Sequence, residues 1–231
     1  RFKRLAHINY IALPGGEGAI REPWKIAISY LYDTFKEDYT VYVPKHLQEK
    51  KHQIITEIIK KDINSPKASS IGRLFDAVAA LLGFDAKITF QGEAAIDLEN
   101  LCCRDDQSFY QYNISLEDGI YIIDCKPLIK SVVIEVIDGI DKELIARRFH
   151  NTIIKFTIEL CEILRKEYNL SSVVLSGGVF QNEILLINIY KELIKRDFKV
   201  YIHEQIPAND EGISIGQMII GNKILKKELV F

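Results

Sequence analysis

The sequence has few of the features that by themselves assign a protein to a structural or functional class. Its four cysteines show no Cys-x-x-Cys spacing, so we predict neither a disulfide framework nor a cysteine zinc site. The thiols instead indicate a reducing compartment, with the cytoplasm as the default. No apolar run approaches the roughly 20 residues that cross a bilayer, and there is no signal-peptide core. We therefore expect a cytoplasmic protein without a membrane partner.

An excess of one charge is also missing. Thirty basic side chains stand against 32 acidic ones, for a net charge of −2, and this balance offers no basic field for nucleic acid. None of the five histidines pairs with another at i,i+4, so local spacing supplies no complete histidine metal site. Hydrophobic residues at 48% and charged residues at 27% are typical of a globular protein.

Methionine is nearly absent from the chain. It begins at Arg1, and Met218 is its single methionine. We therefore expect a fragment of a longer polypeptide, folded into one or two compact units.

The patterning predicts strands and helices along the first two thirds of the chain. An apolar stretch ends at the turn signal 13–16, and Pro23 opens a helical pattern. Asp118-Gly119 marks a hairpin within 108–124. Residues 128–137 are ambiguous, because β-branched side chains favour a strand while Pro127 and its surroundings would tolerate a short helix. Further helices are predicted at 46–62, 71–83, 93–103 and 141–168.

The last sixty residues are the most regular part. Strands at 172–176 and 198–203 alternate with helices at 183–195 and 211–224, which predicts two parallel strands. Both strand-to-helix loops then lie at the same edge, where ligands bind in open α/β sheets. Residues 176–182 and 207–212 are therefore expected to face one shared site.

The first of these loops contains Gly177 and Gly178. Adjacent glycines let a phosphate or sugar approach the main-chain N–H groups at a helix start. The pattern is neither a Walker loop nor a dinucleotide fingerprint. The alternative is a tight turn with Asn182 as an N-cap, and the motif alone favours that alternative.

The second loop contains Asp210, which stands where an N-cap belongs. A carboxylate at a loop end could also ligate a metal, but capping is the commoner role. Gly212 and Gly216 follow one turn apart and indicate a closely packed face.

The helix at 70–84 has two unequal faces. One is apolar, whereas the other carries Arg73 and Asp76 among small residues, which suits a ligand or chain lying against it. Asp76 could accept hydrogen bonds from paired hydroxyls such as a ribose diol. A surface Arg73–Asp76 ion pair explains the pattern equally well.

Taken together, six segments resemble the C-terminal region of the HypF-type carbamoyltransferases, which act in the maturation of nickel–iron hydrogenases. Their order and spacing match, and they span nearly the whole chain. The segments are LPGGEGAIREPWKIA (13–27), SSIGRLFDAVAALLGF (69–84), FQGEAAIDLE (90–99), FHNTI (149–153), LSGGVFQN (175–182) and PANDEGISIGQ (207–217).

The resemblance implies an α/β fold of the actin, sugar-kinase and Hsp70 (RNase H-like) type, a nucleotide-binding lobe with a helical insertion. Residues 1–125 would form its N-terminal strand, helical segment and hairpin, and 126–231 its α/β nucleotide-binding half. The family uses carbamoyl phosphate and ATP, through carbamoyl adenylate, to carbamoylate the C-terminal cysteine of HypE. That carbamoyl group is the source of the cyanide ligands on iron.

The same resemblance implies site residues. Asp76 would hold the ribose, with Gly92 and Glu93 lining the sugar side, and Gly177 and Gly178 would approach the phosphate. Asn182 would sit at the adenine or ribose. Asp210 would ligate a divalent metal ion. No nucleophile of this chain is required, and we assign no catalytic residue.

Several departures from the family pattern bear on this assignment. Glu93 replaces the usual glutamine, and Glu211 replaces a usual glycine. The histidine cluster that completes the family's metal site lies upstream of this chain, so the metal site is expected to be incomplete and the isolated chain inactive.

Two rival interpretations remain. The related lobe of tRNA threonylcarbamoyl transferases shares the glycine pair and terminal aspartate, but not the LPGG, IREPW and GRLFDA segments. A non-catalytic lobe that only docks a partner is the second rival.

Overall fold

The structure is a computed structural model that describes residues 2–90, 92–102 and 105–226. These residues group into two compact units. One comprises residues 4–156, and the other comprises residues 157–226 together with residues 2–3. The predicted halves 1–125 and 126–231 of a single lobe stay a prediction. No described helix is both long and apolar enough to cross a membrane.

The larger unit combines helices with two small sheets. In chain order its elements are β1 (Ala6–Ile8), β2 (Ile11–Ala12), α1 (Glu17–Arg21), α2 (Pro23–Phe35), α3 (His52–Lys60), β3 (Lys67–Ala68), α4 (Ile71–Leu81), α5 (Glu93–Asn100), β4 (Asn113–Glu117), β5 (Ile120–Asp124), α6 (Lys126–Ile137) and the first part of α7 (Lys142–Tyr168). One sheet has the order β1-β5-β4, with β1 parallel and β4 antiparallel to β5. The other pairs β2 with β3.

Helix α4 is the centre of this unit. It packs against α2, α5 and α6, and every residue from Leu74 to Leu82 is buried. Apolar side chains of the four helices fill the space between them, and burial of each large aliphatic side chain contributes about 1.5–3 kcal/mol. The fully buried members include Ile26, Ile28, Leu31, Val78, Leu98, Leu128 and Val132.

The ambiguous segment 128–137 lies within α6 and is helical. Its buried residues Leu128, Ile129, Val132 and Val133 recur at helical spacing, and Pro127 is tolerated because it lies in the first turn. Packing of α6 against α2 and α4 therefore overrides the strand propensity of its valines and isoleucines.

The predicted hairpin is confirmed, with strands shorter than 108–124. Asp118 and Gly119 both have positive φ, 48° and 77°, as a two-residue type I′ turn requires. The pairing starts only at Asn113, because side chains of α7 form hydrogen bonds with the backbone of residues that precede it. Asn151 Nδ2 donates to the carbonyl of Ser108 at 2.9 Å, and Thr152 Oγ1 accepts from the Tyr110 N–H at 2.8 Å.

The smaller unit confirms the predicted β-α-β-α order. After the end of α7, it contains β6 (Ser172–Val174), α8 (Glu183–Lys195), β7 (Lys199–Tyr201) and α9 (Ile213–Leu225). Strands β6 and β7 are parallel, with Val173 opposite Val200. Short 3-10 turns at Gly178–Gln181 and Asp210–Gly212 precede the two helices.

Candidate functional site

Asp76 lies inside the larger unit, in the middle of α4. Its side chain is only 2% exposed. On the small-residue face of α4, Ala80 is buried and His46 Nε2 lies 2.9 Å from its carbonyl, whereas Gly72 and Arg73 are half-buried and Gly83 is exposed. The Arg73–Asp76 ion pair exists, but the expectation that it is a surface pair is wrong, because its carboxylate is buried.

The contact between the two charges has an unusual geometry. Arg73 Nε lies 2.8 Å from Asp76 Oδ2, yet both atoms are buried without an aligned hydrogen bond. The Nε–H group therefore does not point at the oxygen. The pair interacts by charge more than by a directed hydrogen bond.

Burial controls the protonation of this carboxyl group. Removal from water raises the pKa of Asp76 to about 6, and the Arg73 guanidinium partly offsets that rise. At neutral pH Asp76 is therefore mostly ionised. An ionised carboxylate accepts hydrogen bonds and donates none, so this position suits a ligand that carries hydroxyl groups.

Tyr30, on α2, belongs to the same buried surroundings and was not singled out by the sequence. Its hydroxyl group is buried and has no hydrogen-bond partner. Burial raises the pKa of Tyr30 well above its usual value, and the charges of Asp76 and Arg73 also act on it. One signal for it was available, since a tyrosine among the apolar residues of a core helix usually needs a polar partner.

Gly92 and Glu93 form the start of α5, which packs against α4. Gly92 has φ 88°, a left-handed conformation that favours glycine. Glu93 folds back onto the preceding loop, and its Oε2 accepts from the backbone N–H of Thr89 and from the Thr89 hydroxyl. These hydrogen bonds lower the pKa of Glu93, so its carboxylate is anionic and holds the loop that enters α5.

The loops after β6 and β7 lie side by side, as predicted. The backbone N–H of Gly177 donates to the carbonyl of Ala208 at 2.9 Å, and His203 Nε2 lies 2.9 Å from Ser176 Oγ. A cavity of about 400 Å³ opens between them, lined by Leu175, Phe180, Gln181, Leu186, His203, Glu204, Gln205, Ile206, Pro207 and Ala208. The smaller unit thus has a recess at the carboxyl ends of its two strands, lined by both polar and apolar residues.

The two glycines of the first loop have different roles. Gly177 has φ 103° and ψ 155°, a region that is essentially restricted to glycine. Gly178 has no such requirement, and the nearest atom to a Cβ placed there would be Gln181 Oε1 at 4.0 Å. Gly177 shapes the turn, whereas Gly178 leaves open space beside the backbone.

Asn182 is the N-cap of α8. Its Oδ1 accepts from the backbone N–H of Leu185 at 2.9 Å, and the residue is 8% exposed. The capping alternative is therefore confirmed.

Asp210 does not have the capping role expected of it. The cap of the 3-10 turn is Asn209, whose Oδ1 accepts from the N–H of Glu211 at 3.2 Å, and α9 begins only at Ile213. Asp210 is exposed. No group of three or more potential ligands that could hold a metal ion occurs in the described ranges, and one exposed carboxylate does not fit a resident metal by itself.

Of the two glycines after Asp210 that were expected to form a closely packed face, Gly212 is closely packed and Gly216 is not. A Cβ on Gly212 would lie 2.7 Å from the carbonyl oxygen of Pro207, whereas one on Gly216 would meet nothing within 4 Å. Gly212 therefore allows the loop to close on itself, and Gly216 has open space.

The predicted residues divide between the two units. Asp76, Gly92 and Glu93 belong to the larger unit, and Gly177, Gly178, Asn182 and Asp210 belong to the smaller one. Within the larger unit they lie on the neighbouring helices α4 and α5. Within the smaller unit they lie on two adjacent loops.

Comparison with known proteins shows the family to which the chain belongs. The family model described as "Carbamoyltransferase, Kae1-like Domain, second subdomain" matches residues 1–217. The chain is 30% identical over 234 residues to the carbamoyltransferase HypF of Synechocystis sp., covering 94% of this chain and 30% of that protein. It is 28% identical over 248 residues to the carbamoyltransferase HypF2 of Cupriavidus necator, covering 94% and 29%. The chain thus spans less than a third of these relatives.

Two solved structures are similar to the chain. Full-length HypF in a phosphate- and nucleotide-bound form has a TM-score of 0.91 and 39% identity, over 97% of this chain and 29% of that one. HypF of T. kodakarensis has a TM-score of 0.82 over 99% and 31%, and at 24% identity it supports the fold alone. These likenesses confirm the predicted α/β fold class.

Proposed function

Because this chain belongs to the family of Kae1-like carbamoyltransferase second subdomains, we propose that it forms part of the nucleotide-binding lobe of a cytoplasmic HypF-type enzyme. The enzyme uses carbamoyl phosphate and ATP to make carbamoyl adenylate. It then transfers the carbamoyl group to the C-terminal cysteine of a HypE-like acceptor protein, for cyanide-ligand synthesis in nickel–iron hydrogenase maturation. The observation that carries this proposal is the likeness to a HypF structure that contains phosphate and nucleotide.

The transfer step requires little covalent chemistry from the residues of this chain. The acceptor thiolate attacks the carbamoyl carbon, a C–S bond forms, and the C–O bond to the adenylate phosphate breaks. AMP leaves with the electron pair of that bond. Since AMP is already a good leaving group, the protein has to orient the adenylate and exclude water.

Different residues of the chain would bind different parts of the adenylate. The Asp76 carboxylate accepts hydrogen bonds from the ribose hydroxyls, and the loop beginning at Gly92 and Glu93 borders the sugar. The open backbone at Gly178 lets a phosphate approach, beside the turn that Gly177 shapes. Asn182, whose Oδ1 accepts from the Leu185 N–H at the helix cap, would lie at the adenine or ribose. No step depends on a metal ion at Asp210.

The test is a calorimetric titration with ATP of the polypeptide as the cell makes it. Asp76→Asn removes the anion, and Gly178→Val fills the open space beside the backbone. Asp38→Asn is the matched control, because Asp38 is an exposed carboxylate of the larger unit. We expect ATP binding that Asp76→Asn weakens at least tenfold, the effect of losing a charged hydrogen bond. Gly178→Val should weaken it by blocking the approach of the phosphate to the backbone, and the control should leave it unchanged.

Carbamoyl transfer is then measured by the mass of an acceptor protein that ends in cysteine. We expect a carbamoylated acceptor with the wild-type protein and little with Asp76→Asn. A non-catalytic docking lobe predicts indifference to ATP and to both substitutions. Absence of ATP binding at millimolar concentration would overturn the proposal.

A further inference from the structure

Among the described residues, five buried polar side-chain atoms of the larger unit have no hydrogen-bond partner, and three of these belong to side chains that interact electrostatically. These three are the Tyr30 hydroxyl, Arg73 Nε and Asp76 Oδ2. Buried polar groups are nearly always hydrogen bonded, so a cluster of exceptions needs an explanation. A ligand that supplies hydroxyl groups is one such explanation.

The two oxygens of Asp76 differ in their surroundings. Oδ2 is buried against Arg73. Oδ1 is not among the fully buried atoms that lack a partner, and the ion-pair contact of Arg73 is made to Oδ2. The carboxylate thus has one oxygen held against the guanidinium and a second with residual exposure. The Arg73 side chain is itself 14% exposed.

Arg73 is the only charged group that lowers the pKa of Asp76 among the described residues. On the neighbouring elements, Tyr30 of α2 and Cys125 at the start of α6 are neutral at pH 7, because burial raises the pKa of both, that of Cys125 to about 12. Glu93 of α5 is bound to Thr89. The charge of Arg73 is therefore what balances the buried anion.

We propose that Arg73 is a positioning residue for the nucleotide sugar: its guanidinium holds Asp76 Oδ2 and keeps the carboxylate anionic, so that the other oxygen can accept hydrogen bonds from the vicinal hydroxyls of a ribose. The proposal rests on the proposed function and deepens it, because it specifies which part of the nucleotide depends on this pair. Since the contact is close but not aligned, the charge of residue 73 matters more than its hydrogen-bond geometry.

The experiment compares ATP with 2′,3′-dideoxy-ATP, which lacks both hydroxyls, in calorimetric titrations of the intact polypeptide at neutral pH. Arg73→Gln removes the charge, Arg73→Lys keeps it, and Asp76→Asn removes its partner. Lys130→Gln is the matched control, because Lys130 is an exposed cation on α6 of the same unit. Arg73→Met is a second neutral variant, and near-ultraviolet circular dichroism establishes which variants fold.

We expect wild-type protein to prefer ATP over the dideoxy analogue by about tenfold or more. Arg73→Gln and Arg73→Met should lose most of that preference with little change in affinity for the analogue. Arg73→Lys should retain it to within about threefold. The double variant Arg73→Gln/Asp76→Asn should be no worse than Asp76→Asn alone, because Arg73 acts through Asp76.

Two results would overturn the role of Arg73 while leaving the proposed function intact. One is an Asp76-dependent preference that Arg73→Gln and Arg73→Met leave unchanged. The other is an equal loss of affinity for both nucleotides in these variants, which would indicate a structural role. A wild-type protein that binds ATP without any preference for the hydroxyls would overturn the roles of both residues, and one that does not bind ATP would overturn the proposed function as well.

Discussion

The backbone N–H of Gly177 donates a 2.9 Å hydrogen bond to the carbonyl of Ala208. This bond joins the loop after β6 to the loop after β7, across a separation of 31 residues in the sequence. The pairing of β6 with β7 brings both loops to one edge, where the recess lies. The stability of this arrangement depends on a few backbone positions that can be tested separately.

Replacement of Gly177 by alanine should destabilise the protein by about 1–3 kcal/mol, because a φ of 103° with a ψ of 155° is strained for any residue with a Cβ. Gly178→Ala is the matched control, since its φ is not positive and a Cβ has room there. Urea unfolding measures both variants. Equal losses at the two positions would contradict the assignment of the strain to Gly177.

Gly212 and Gly216 should respond to alanine in opposite directions. A Cβ on Gly212 would lie 2.7 Å from the Pro207 carbonyl oxygen, so we expect a loss of about 1–3 kcal/mol from overpacking. Gly216 is inside α9 with open space around it, so alanine should stabilise by up to about 1 kcal/mol. Thermal unfolding of the two variants checks the signs, and a stabilising Gly212→Ala would disprove the close approach.

Removal of the Asn182 cap should weaken the start of α8. Asn182→Ala loses the hydrogen bond from the Leu185 N–H and should cost about 1 kcal/mol in the free energy of unfolding. Asn182→Asp keeps an acceptor at the same place and should cost much less. If aspartate proved as harmful as alanine in urea unfolding, the amide group of Asn182 would matter more than its capping oxygen.

The ionisation of Asp76 should make stability fall with rising pH. Its folded pKa, about 6, lies above its usual value of 3.8, so between about pH 4 and 6 the folded state binds the proton more tightly than the unfolded state. The free energy of unfolding should therefore decrease across this window by on the order of 2–3 kcal/mol relative to Asp76→Asn. Chemical unfolding of both proteins at each pH measures this difference.

The comparison with Asp76→Asn is needed because His150 has the opposite effect. Burial lowers the pKa of His150 from 6.5 to about 4, so its contribution to stability rises with pH over the same range. Both proteins retain His150, and its effect cancels in the difference. A pH-independent difference between the two would show that Asp76 does not change its proton affinity on folding.

The local pattern was sufficient where one residue type dictates a backbone conformation. The hairpin at Asp118-Gly119 was predictable because both residues adopt positive φ readily. The order of elements in the last sixty residues followed from apolar runs of strand and helix length, and α8 has the predicted bounds, Glu183–Lys195. The resemblance to HypF-type carbamoyltransferases, carried by six motifs, is confirmed by the family match.

Local pattern failed where packing or a neighbouring residue decided between alternatives. Residues 126–137 became a helix because α2 and α4 bury one of its faces. The cap expected at Asp210 lies at Asn209, since either side chain can cap a turn and a sequence does not specify in which residue the turn begins.

By itself the sequence determined the family, the positions of most helices and strands, and the glycine that the turn at 177 requires. These features depend on the φ and ψ angles available to each residue and on the spacing of apolar side chains, which are properties of short segments. Only the tertiary structure decided that Asp76 is buried beside Tyr30 and Arg73, and therefore that its pKa is near 6. The charge state of a carboxyl group depends on how much water the surrounding elements remove, and those elements come from distant parts of the chain.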